Sequence, residues 1–381
     1  MPASSGTPRP QRNYLLLTAL AVALVIVMLM LLAEGGVRLR QWLKHGQASS
    51  VDALLQQDPV SGLRVPRSGV HGGRIHINSL GFRGPELSEG RPALRLAFLG
   101  ASTTFCAEVS KDDAAWPHLV RERIQQAYPS VSVDYVNAGV PGYVVDDSLD
   151  NWLHRVRRLD PDVVVIYHAT NDLSLDTRKL AATRGMQESG RRKPSWLAEH
   201  SMLWFLVEKS LQAKAAQQRA VSEAPRIMAI PPELPEGFRQ RLSRLVKTVQ
   251  TSGSLVALPT FSYRLRREQG QAEQLKSAES ALYYMPYMSL GALLEGYEAY
   301  NQAIRQVARE TGALLVEGAL DIPGDARHFT DSVHFSDAGS AAMARRVSGA
   351  LLASPGFKAG IEQSVQDRKG GQEGERSGKS S

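Results

Sequence analysis

A serine stands directly after the first strongly apolar segment of the sequence, in the stretch FLGASTTF at residues 98–105. Residues 94–99 have the composition of a buried parallel strand, which places Ser102 where that strand meets the following loop or helix. A serine hydroxyl is unreactive alone at neutral pH, and it needs a base to accept its proton and a third group to orient that base. Ser102 is therefore a candidate nucleophile that requires two partners.

Both partners occur in one short segment near the carboxyl end, HFTDSVHFSDAG at residues 328–339. Asp331 and His334 lie three residues apart, in a turn that enters a helix for which Ser336 is the predicted cap. At this spacing the carboxylate can hold Nδ1 of the imidazole while Nε2 faces the serine. A serine after a strand is usually a turn residue, and an isolated D-x-x-H is usually solvated. The order of the two motifs within an alternating α/β pattern favours a catalytic site.

The elements that must position these residues alternate along the chain between short apolar strands and amphipathic helices. Strands are predicted near residues 94–99, 131–135, 163–167, 255–258 and 313–316, and helices fill the intervals. Parallel strands need crossover elements that lie on the sheet, so the pattern predicts a three-layer α/β/α domain with a five-stranded parallel sheet. Ligands of such sheets bind beyond the carboxyl ends of the strands, where Ser102 is predicted to lie.

The sequence divides into five predicted parts. Residues 1–13 form a short basic tail, 14–33 a transmembrane signal anchor, 34–92 a linker and pre-domain segment, 93–355 the α/β domain, and 356–381 a disordered tail. The domain carries insertions at about 176–236 and 262–292, which leave carboxyl ends of strands and so can form a lid or a substrate wall. The first insertion includes SMLWFLVEKSL, which is interpreted as an ordinary packed helix rather than a lipid-gathering lid.

Residues 14–33 contain no charge, and their number matches the roughly 20 residues that cross the hydrocarbon core of a bilayer. A cleaved signal peptide would have a shorter apolar region and a small-x-small cleavage site, so an uncleaved anchor is favoured. Positive residues flank both sides, Arg9 and Arg12 before it and Arg38, Arg40 and Lys44 after it, and the charges leave the orientation open. The short basic leading tail favours a cytoplasmic amino terminus and a periplasmic or extracellular domain.

The overall composition narrows the function classes. The formal charge of +7 is scattered, without a basic stripe interleaved with aromatic residues, so nucleic acid is not an expected partner. The single cysteine, Cys106, excludes a disulfide within this chain, and it is interpreted as a small buried hydrophobe rather than a rival nucleophile. His118, His154 and His328 lack partners at metal-ligand spacing, so no metal or other cofactor is expected. The oligomeric state stays open.

Four sequence blocks in a fixed order make the chain resemble the SGNH/GDSL hydrolases over roughly residues 94–353. They are GAST at 100–103, NAGVPG at 137–142, ATND at 169–172 and DSVH at 331–334, and the AWP tripeptide at 115–117 is similar as well. The resemblance implies the flavodoxin-like SGNH hydrolase fold in a membrane-anchored bacterial type. Ala101 replaces the usual aspartate, and Ala169 and Thr170 stand where glycine is usual, which implies a narrower acyl pocket.

The resemblance also implies roles for individual residues. Ser102 would be the nucleophile, His334 the general base and then acid, and Asp331 its orienting carboxylate. The Ser102 N–H, the Gly142 N–H and the Asn171 amide would form the oxyanion hole. The implied activity is cleavage of carboxylic esters through an acyl-enzyme, on extracytoplasmic acylated glycan or lipid substrates. An O-acyltransferase acting on envelope polysaccharide, or a non-catalytic tethered glycan-binding scaffold, are the alternatives.

Overall fold

The computed structural model of the protein describes residues 10–45, 52–70, 74–186, 195–220 and 226–363. In chain order the α-helices and strands are α1 (Pro10–His45), β1 (Leu55–Gln57), β2 (Arg64–Pro66), β3 (Leu94–Gly100), α2 (Ser102–Phe105), α3 (Trp116–Ala127), β4 (Val133–Gly139), α4 (Val145–Asn151), β5 (Val163–Tyr167), α5 (Thr170–Thr183), α6 (Trp196–His200), α7 (Met202–Ala220), α8 (Glu233–Gln250), β6 (Leu255–Pro259), α9 (Gln271–Ser277), α10 (Glu279–Tyr284), α11 (Leu290–Thr311), β7 (Leu314–Val316) and α12 (Asp337–Ala353).

Strands β3 to β7 form a five-stranded sheet in the order β4-β3-β5-β6-β7, with every neighbouring pair parallel. All residues of β3, β4 and β5 are buried, as expected for strands covered on both faces. Helices α3 and α12 pack together in one layer, and α4, α5, α8 and α11 pack in the other. The predicted three-layer fold with a five-stranded parallel sheet is confirmed.

Local sequence signals set the boundaries of the helices near the site. The Ser336 hydroxyl accepts from the Gly339 N–H at 3.3 Å, so it caps α12 as predicted. Ser289 caps α11 in the same way, and Gly312 ends that helix with a φ of 70°, in the left-handed region that glycine adopts readily. Helix α12 therefore begins three residues after His334, which fixes the exit of the loop that carries this histidine.

Helix α1 spans 36 residues and is longer than the predicted segment 14–33. It contains one segment, Tyr14–Leu43, that is long and apolar enough to cross a membrane, and the most apolar 18-residue window of this segment has a mean hydropathy of 3.1. Its apolar side chains are exposed along most of the length, from Tyr14 to Leu43. By length and composition, the helix suits either a bilayer span or a signal sequence.

Within 34–92, the range predicted as linker and pre-domain segment, residues 52–70 and 74–92 pack on the α/β domain. This pre-domain segment contains the antiparallel pair β1 and β2, and its apolar side chains pack in two clusters on the α/β domain. The first cluster joins Leu54, Ile75 and Ile77 to Phe105 and Ala107, and the second joins Leu55, Leu63 and Val65 to Val140 and Tyr143. These apolar residues follow no regular period, so helical or strand periodicity gave no sign of their burial.

The carboxyl-terminal tail also departs from its prediction. The expectation of disorder over 356–381 does not hold for residues 356–363, which belong to a helical segment at 355–363. Phe357 and Ile361 are buried against the domain core, four residues apart on one helical face. Burial of these two large apolar side chains stabilises the segment on the domain, although the composition around them is polar. Residues 364–381 lie outside the described part.

Both insertions contain helices. The first holds α6 and α7 after the end of α5, and the second holds α9 and α10. Helix α7 packs against α10, with Ala213 and Ala216 buried. The amino-terminal half of α7 does not fit the interpretation of SMLWFLVEKSL as an ordinary packed helix, because Trp204, Phe205 and Leu211 are exposed.

Candidate active site

Ser102 begins the short helix α2, two residues after the end of β3. Two buried side chains donate hydrogen bonds to the backbone carbonyls of this helix. The Trp116 indole N–H donates to the Thr103 carbonyl at 3.0 Å, and the Arg83 guanidinium donates to the Phe105 carbonyl at 2.6 Å. A cation near the carboxyl end of a helix is also favourable for its dipole. The backbone around Ser102 is therefore fixed from both sides.

Arg83 is a supporting residue that sequence reasoning missed. Its side chain is 1 % exposed, pairs with Asp112 at 2.8 Å and donates to the carbonyls of Arg74 and Cys106. Its only signal in the sequence is its position directly after Phe82, in a short segment with three large apolar residues. Once buried, a guanidinium needs several acceptors to offset its desolvation. The pre-domain segment thus contributes directly to the support of Ser102.

The structure brings Ser102, His334 and Asp331 into one chain of hydrogen bonds. His334 Nε2 lies 2.8 Å from Ser102 Oγ, and His334 Nδ1 lies 2.7 Å from Asp331 Oδ2. The other oxygen of Asp331 accepts from the backbone N–H groups of Val333 and His334, both at 2.9 Å. The three-residue spacing therefore lets one carboxylate orient both the loop and the ring.

The charge state of Asp331 determines the tautomer of His334. Burial alone would raise the pKa of the Asp331 carboxyl, but the facing His334 ring and the N–H donors of His334 and Val333 hold that pKa well below its usual range. An ionised carboxylate only accepts hydrogen bonds, so Nδ1 carries the proton. Nε2 is then the acceptor for the Ser102 hydroxyl, which is the arrangement needed to remove the serine proton.

A second D-x-x-H occurs six residues earlier, at Asp325 and His328, and sequence reasoning did not single it out. His328 Nδ1 lies 2.8 Å from Asp325 Oδ1, and that oxygen also accepts from the N–H groups of Arg327 and His328. The pair at 331 and 334 makes the same kinds of hydrogen bond, but it divides them between the two carboxylate oxygens. Of these two histidines, His334 is the one that hydrogen-bonds Ser102, so the position of the loop distinguishes the two pairs, and the motif alone does not.

Gly142 and Asn171 follow β4 and β5, the two strands that flank β3 in the sheet. Gly142 has a φ of 93°, and the space beside its Cα is open, so glycine is required there for its backbone conformation. The Asn171 side-chain amide donates to the Tyr143 carbonyl at 3.0 Å, which ties the two loops together. Neither residue hydrogen-bonds Ser102 itself.

The block NAGVPG also supports the helix that begins with Ser102. The Asn137 side-chain amide donates to the Thr104 carbonyl at 2.9 Å, and its oxygen accepts from the Gly139 N–H at 3.1 Å. A Cβ atom on Gly139 would lie 2.7 Å from the Phe105 nitrogen, closer than real Cβ atoms approach. Sequence reasoning identified this block as a source of an oxyanion donor and missed its packing against α2.

A buried polar group lies behind Asn171. His168 Nε2 lies 2.7 Å from the Ser148 hydroxyl, and its Nδ1 lies 3.7 Å from Asp172 Oδ2. Asp172 Oδ1 accepts from the Val145 N–H at 3.1 Å, while Oδ2 has no hydrogen-bond partner among the described residues. Burial lowers the pKa of His168 to about 3 and raises the pKa of Asp172 to about 8. Both side chains are therefore neutral near pH 7, and His168 is a structural residue.

We expect Asp172→Asn to flatten the pH dependence of stability. Asp172 releases its proton near pH 3.8 when unfolded and near pH 8 when folded. Between these values the folded chain binds the extra proton, so its free energy of unfolding falls as pH rises, by up to about 1.4 kcal/mol per pH unit. Asparagine is isosteric and removes this contribution.

Urea unfolding of the wild type and the variant at pH 5, 6, 7 and 8 measures the effect. The stability of the Asp172→Asn variant relative to the wild type should increase with each step toward pH 8. His168 is present in both proteins, so its opposite contribution at lower pH cancels in the difference. A difference that stays constant across this range would show that Asp172 ionises normally in the folded chain.

Cys106 follows α2 and is buried, with its backbone in the left-handed region at a φ of 61°. Burial is the main cause that raises the pKa of its thiol to about 12. The thiolate is the nucleophilic form of cysteine, so Cys106 is chemically inert near neutral pH. The interpretation of Cys106 as a small buried hydrophobe agrees with this position.

The family model described as GDSL-like lipase/acylhydrolase matches residues 98–342. Among solved structures, the chain is similar to Axe2, an acetylxylan esterase from Geobacillus stearothermophilus, at 17% identity and a TM-score of 0.41, covering 68% of this chain and 93% of that one. It is also similar to LAE5, an α/β hydrolase enzyme from the metagenome of Lake Arreo, Spain, at 17% identity and a TM-score of 0.39, covering 70% and 97%. No curated protein matches the chain.

The matched range covers well over half of the chain, and it begins within β3 and ends within α12. It includes all four blocks on which the resemblance to the SGNH/GDSL hydrolases rests, so that resemblance is confirmed. The chain therefore belongs to the GDSL-like lipase/acylhydrolase family, and it is an ester-hydrolysing enzyme.

Proposed function

We propose that this enzyme is a serine esterase that works through an acyl-enzyme, with Ser102 as nucleophile, His334 as general base and Asp331 as its orienting carboxylate. The observation that carries the proposal is the chain of two hydrogen bonds, at 2.7 and 2.8 Å, from the Asp331 carboxylate through the His334 ring to the Ser102 hydroxyl. Distances of this length suit proton transfer by a positioned base.

In the first half of the reaction, Ser102 Oγ attacks the ester carbonyl carbon and its proton passes to His334 Nε2. The resulting imidazolium is stabilised by Asp331. When the tetrahedral intermediate collapses, His334 gives the proton to the departing alcohol, and the acyl group stays on Ser102. Water then attacks the acyl-enzyme, gives a proton to His334, and the acid leaves as Ser102 regains its hydrogen.

The negative charge of each tetrahedral intermediate would be bound by the Ser102 N–H, the Gly142 N–H and the Asn171 amide. The Asn171 nitrogen carries two hydrogens, and the bond to the Tyr143 carbonyl uses one of them. That bond holds the amide in place before substrate arrives, and the second hydrogen can be donated to the oxyanion. A preorganised donor of this kind contributes on the order of 3 kcal/mol to the transition state.

We expect Asn171→Ala to lower kcat by a factor of about 10² to 10³, because one oxyanion donor is lost. The donor acts on charge that develops in the transition state, so KM should change little. Steady-state kinetics on a soluble ester measures both constants, and the thermal midpoint of unfolding serves as the folding control. A variant with a raised KM and an unchanged kcat would assign Asn171 to substrate binding instead.

The proposed setting is the outer face of a membrane. Helix α1 would span the bilayer as a signal anchor over residues 14–33, and the hydrolase domain at 93–355 would face the periplasm or the cell exterior. The bilayer span is supported by the uncharged composition of 14–33 and by the exposure of its apolar side chains. In this setting the accessible esters are acylated glycans and lipids.

A substrate panel tests the proposed activity on the full chain in detergent. It combines esters of increasing acyl chain length with acetylated oligosaccharides, each with and without a sugar acceptor. Release of free acid, independent of the acceptor, is the expected result. Transfer of the acyl group to the acceptor would make the chain an O-acyltransferase, and no turnover of any ester by folded protein would favour a tethered glycan-binding scaffold.

A further inference from the structure

We propose that α6 and the amino-terminal half of α7 form a second membrane contact, lying in the interface of the same bilayer that α1 crosses. This inference rests on the membrane anchoring proposed above. It assigns a lipid surface as the partner of an apolar patch that belongs to neither the domain core nor the reaction site. The patch is called the interfacial surface here, and it consists of Trp196, Leu197, Trp204, Phe205, Val207 and Leu211.

The interfacial surface is unusual among the described residues. Among the described residues outside α1, twelve large apolar side chains are exposed, and six of these twelve lie within residues 196–211. Trp204 and Leu211 are seven residues apart, so they lie on one face of α7. Isolated exposed apolar residues are common on soluble proteins, but a cluster with two tryptophans marks an interaction site.

The depth of this surface relative to α1 is set by Glu34. This residue follows the uncharged segment 14–33, and its carboxylate accepts from the N–H groups of Met202 at 3.0 Å and Leu203 at 2.8 Å. It also accepts from the Ser201 hydroxyl at 2.9 Å. A carboxylate bound to the first N–H groups of a helix is favourable for the helix dipole. The beginning of α7 is therefore held at the point where the apolar segment ends.

That level is where a bilayer changes from hydrocarbon to headgroups. Tryptophan is enriched at this depth because its ring is apolar and its N–H is polar, and interfacial helices bury an apolar face there. The Trp204 N–H donates to Glu208 at 2.8 Å, and this places a polar partner beside the ring. Lys214 is exposed on the same helix and can face anionic headgroups. These features favour a lipid surface over a second protein.

The interfacial surface is also connected to the loop that carries His334. Helix α7 packs on α10, and α10 donates through the Ala281 N–H to the Ser332 hydroxyl at 3.1 Å. The Ser280 hydroxyl in turn accepts from the Ser332 N–H at 3.2 Å. Ser332 lies between Asp331 and His334, so a single helix separates the interfacial surface from this loop. Membrane contact would hold the reaction site close to the bilayer surface.

Nitroxide labels on the full chain in lipid nanodiscs test the proposal. Cys106 is buried, so a new exposed cysteine is labelled selectively. Leu211→Cys and Phe205→Cys report on the interfacial surface, and Leu24→Cys in α1 is the reference for hydrocarbon. Leu153→Cys, on the segment before β5, is the matched control, because Leu153 is 39 % exposed and Phe205 is 38 % exposed. The readout is the collision rate with oxygen relative to that with a water-soluble nickel chelate.

Labels at 205 and 211 should show an oxygen-to-nickel ratio several-fold higher than the label at 153, and lower than the label at 24. A ratio at 205 and 211 equal to that at 153, with a high ratio at 24, would overturn the interfacial contact and leave the anchor intact. A water-like ratio at 24 would instead reject the anchor and the inference with it. Low collision rates with both oxygen and the nickel chelate at 205 and 211, at protein concentrations that give dimers, would show burial against a second copy and overturn the lipid contact.

Discussion

Replacing Ser102 with alanine is expected to lower kcat for a soluble ester by a factor on the order of 10⁶. The substitution removes the oxygen that forms the acyl-enzyme, and the His334 ring has no nucleophile within 2.8 Å to activate. The residual rate would come from the oxyanion donors and substrate binding, which persist when the nucleophile is lost. Steady-state hydrolysis by the full chain in detergent measures the loss.

Ser110→Ala is the matched control for this variant, since it makes the same chemical change at an exposed serine eight residues away. The Ser110 backbone N–H that bonds Asp337 is retained in that variant. Both proteins should unfold at the temperature of the wild type, because neither substitution leaves a cavity in the core. Turnover by Ser102→Ala at the rate of Ser110→Ala would rule out Ser102 as the nucleophile.

Asp331→Asn is expected to lower kcat by a factor on the order of 10⁴ without disturbing the loop. The asparagine oxygen can still accept from the N–H groups of Val333 and His334. Its amide nitrogen, however, would face His334 Nδ1 as a donor and make Nδ1 an acceptor. The proton would then sit on Nε2, which could no longer accept the proton of Ser102. The variant should therefore lose activity for two reasons: the His334 proton sits on Nε2, and the negative charge that stabilises the imidazolium is gone.

The second D-x-x-H supplies the control for that experiment. Asp325→Asn makes the same change beside His328, where Asp325 accepts the same kinds of bond. His328 does not hydrogen-bond Ser102, so the kinetics of the Asp325→Asn variant should equal those of the wild type. Comparable losses in the two variants would mean that the loop acts as a structural unit. A loss confined to Asp325→Asn would transfer the role of base to His328.

Most of the α/β domain could be predicted because its signals are local. The runs 94–99 and 163–167 are apolar and short, which is sufficient to predict buried strands. Ser336 and its helix were predictable from the capping rule, and the spacing of Asp331 and His334 fixed their mutual geometry. The contact between His334 and Ser102 joins residues 232 apart, and only the order of the motifs indicated it.

The remaining features depend on contacts that no local pattern encodes. Arg83 supports α2 from a segment that lacks periodicity, and its role follows only from the carbonyls that surround it. The pKa of Asp172 is raised because packing in the folded domain buries its carboxyl, and its neighbours in sequence give no indication of this burial. Phe357 lies in a polar stretch of sequence and is buried because it packs against the hydrophobic core of the domain. Long-range packing decided each case.

Labelling of the full chain with a fluorophosphonate probe, followed by peptide mass spectrometry, tests whether Ser102 is an activated nucleophile. Such a probe reacts with a serine only where a base removes its proton and nearby donors bind the developing oxyanion. We expect one adduct per chain, on Ser102, with labelling abolished in His334→Ala and retained in His328→Ala. Folded protein that stays unlabelled, or that carries the adduct on another residue, would contradict it.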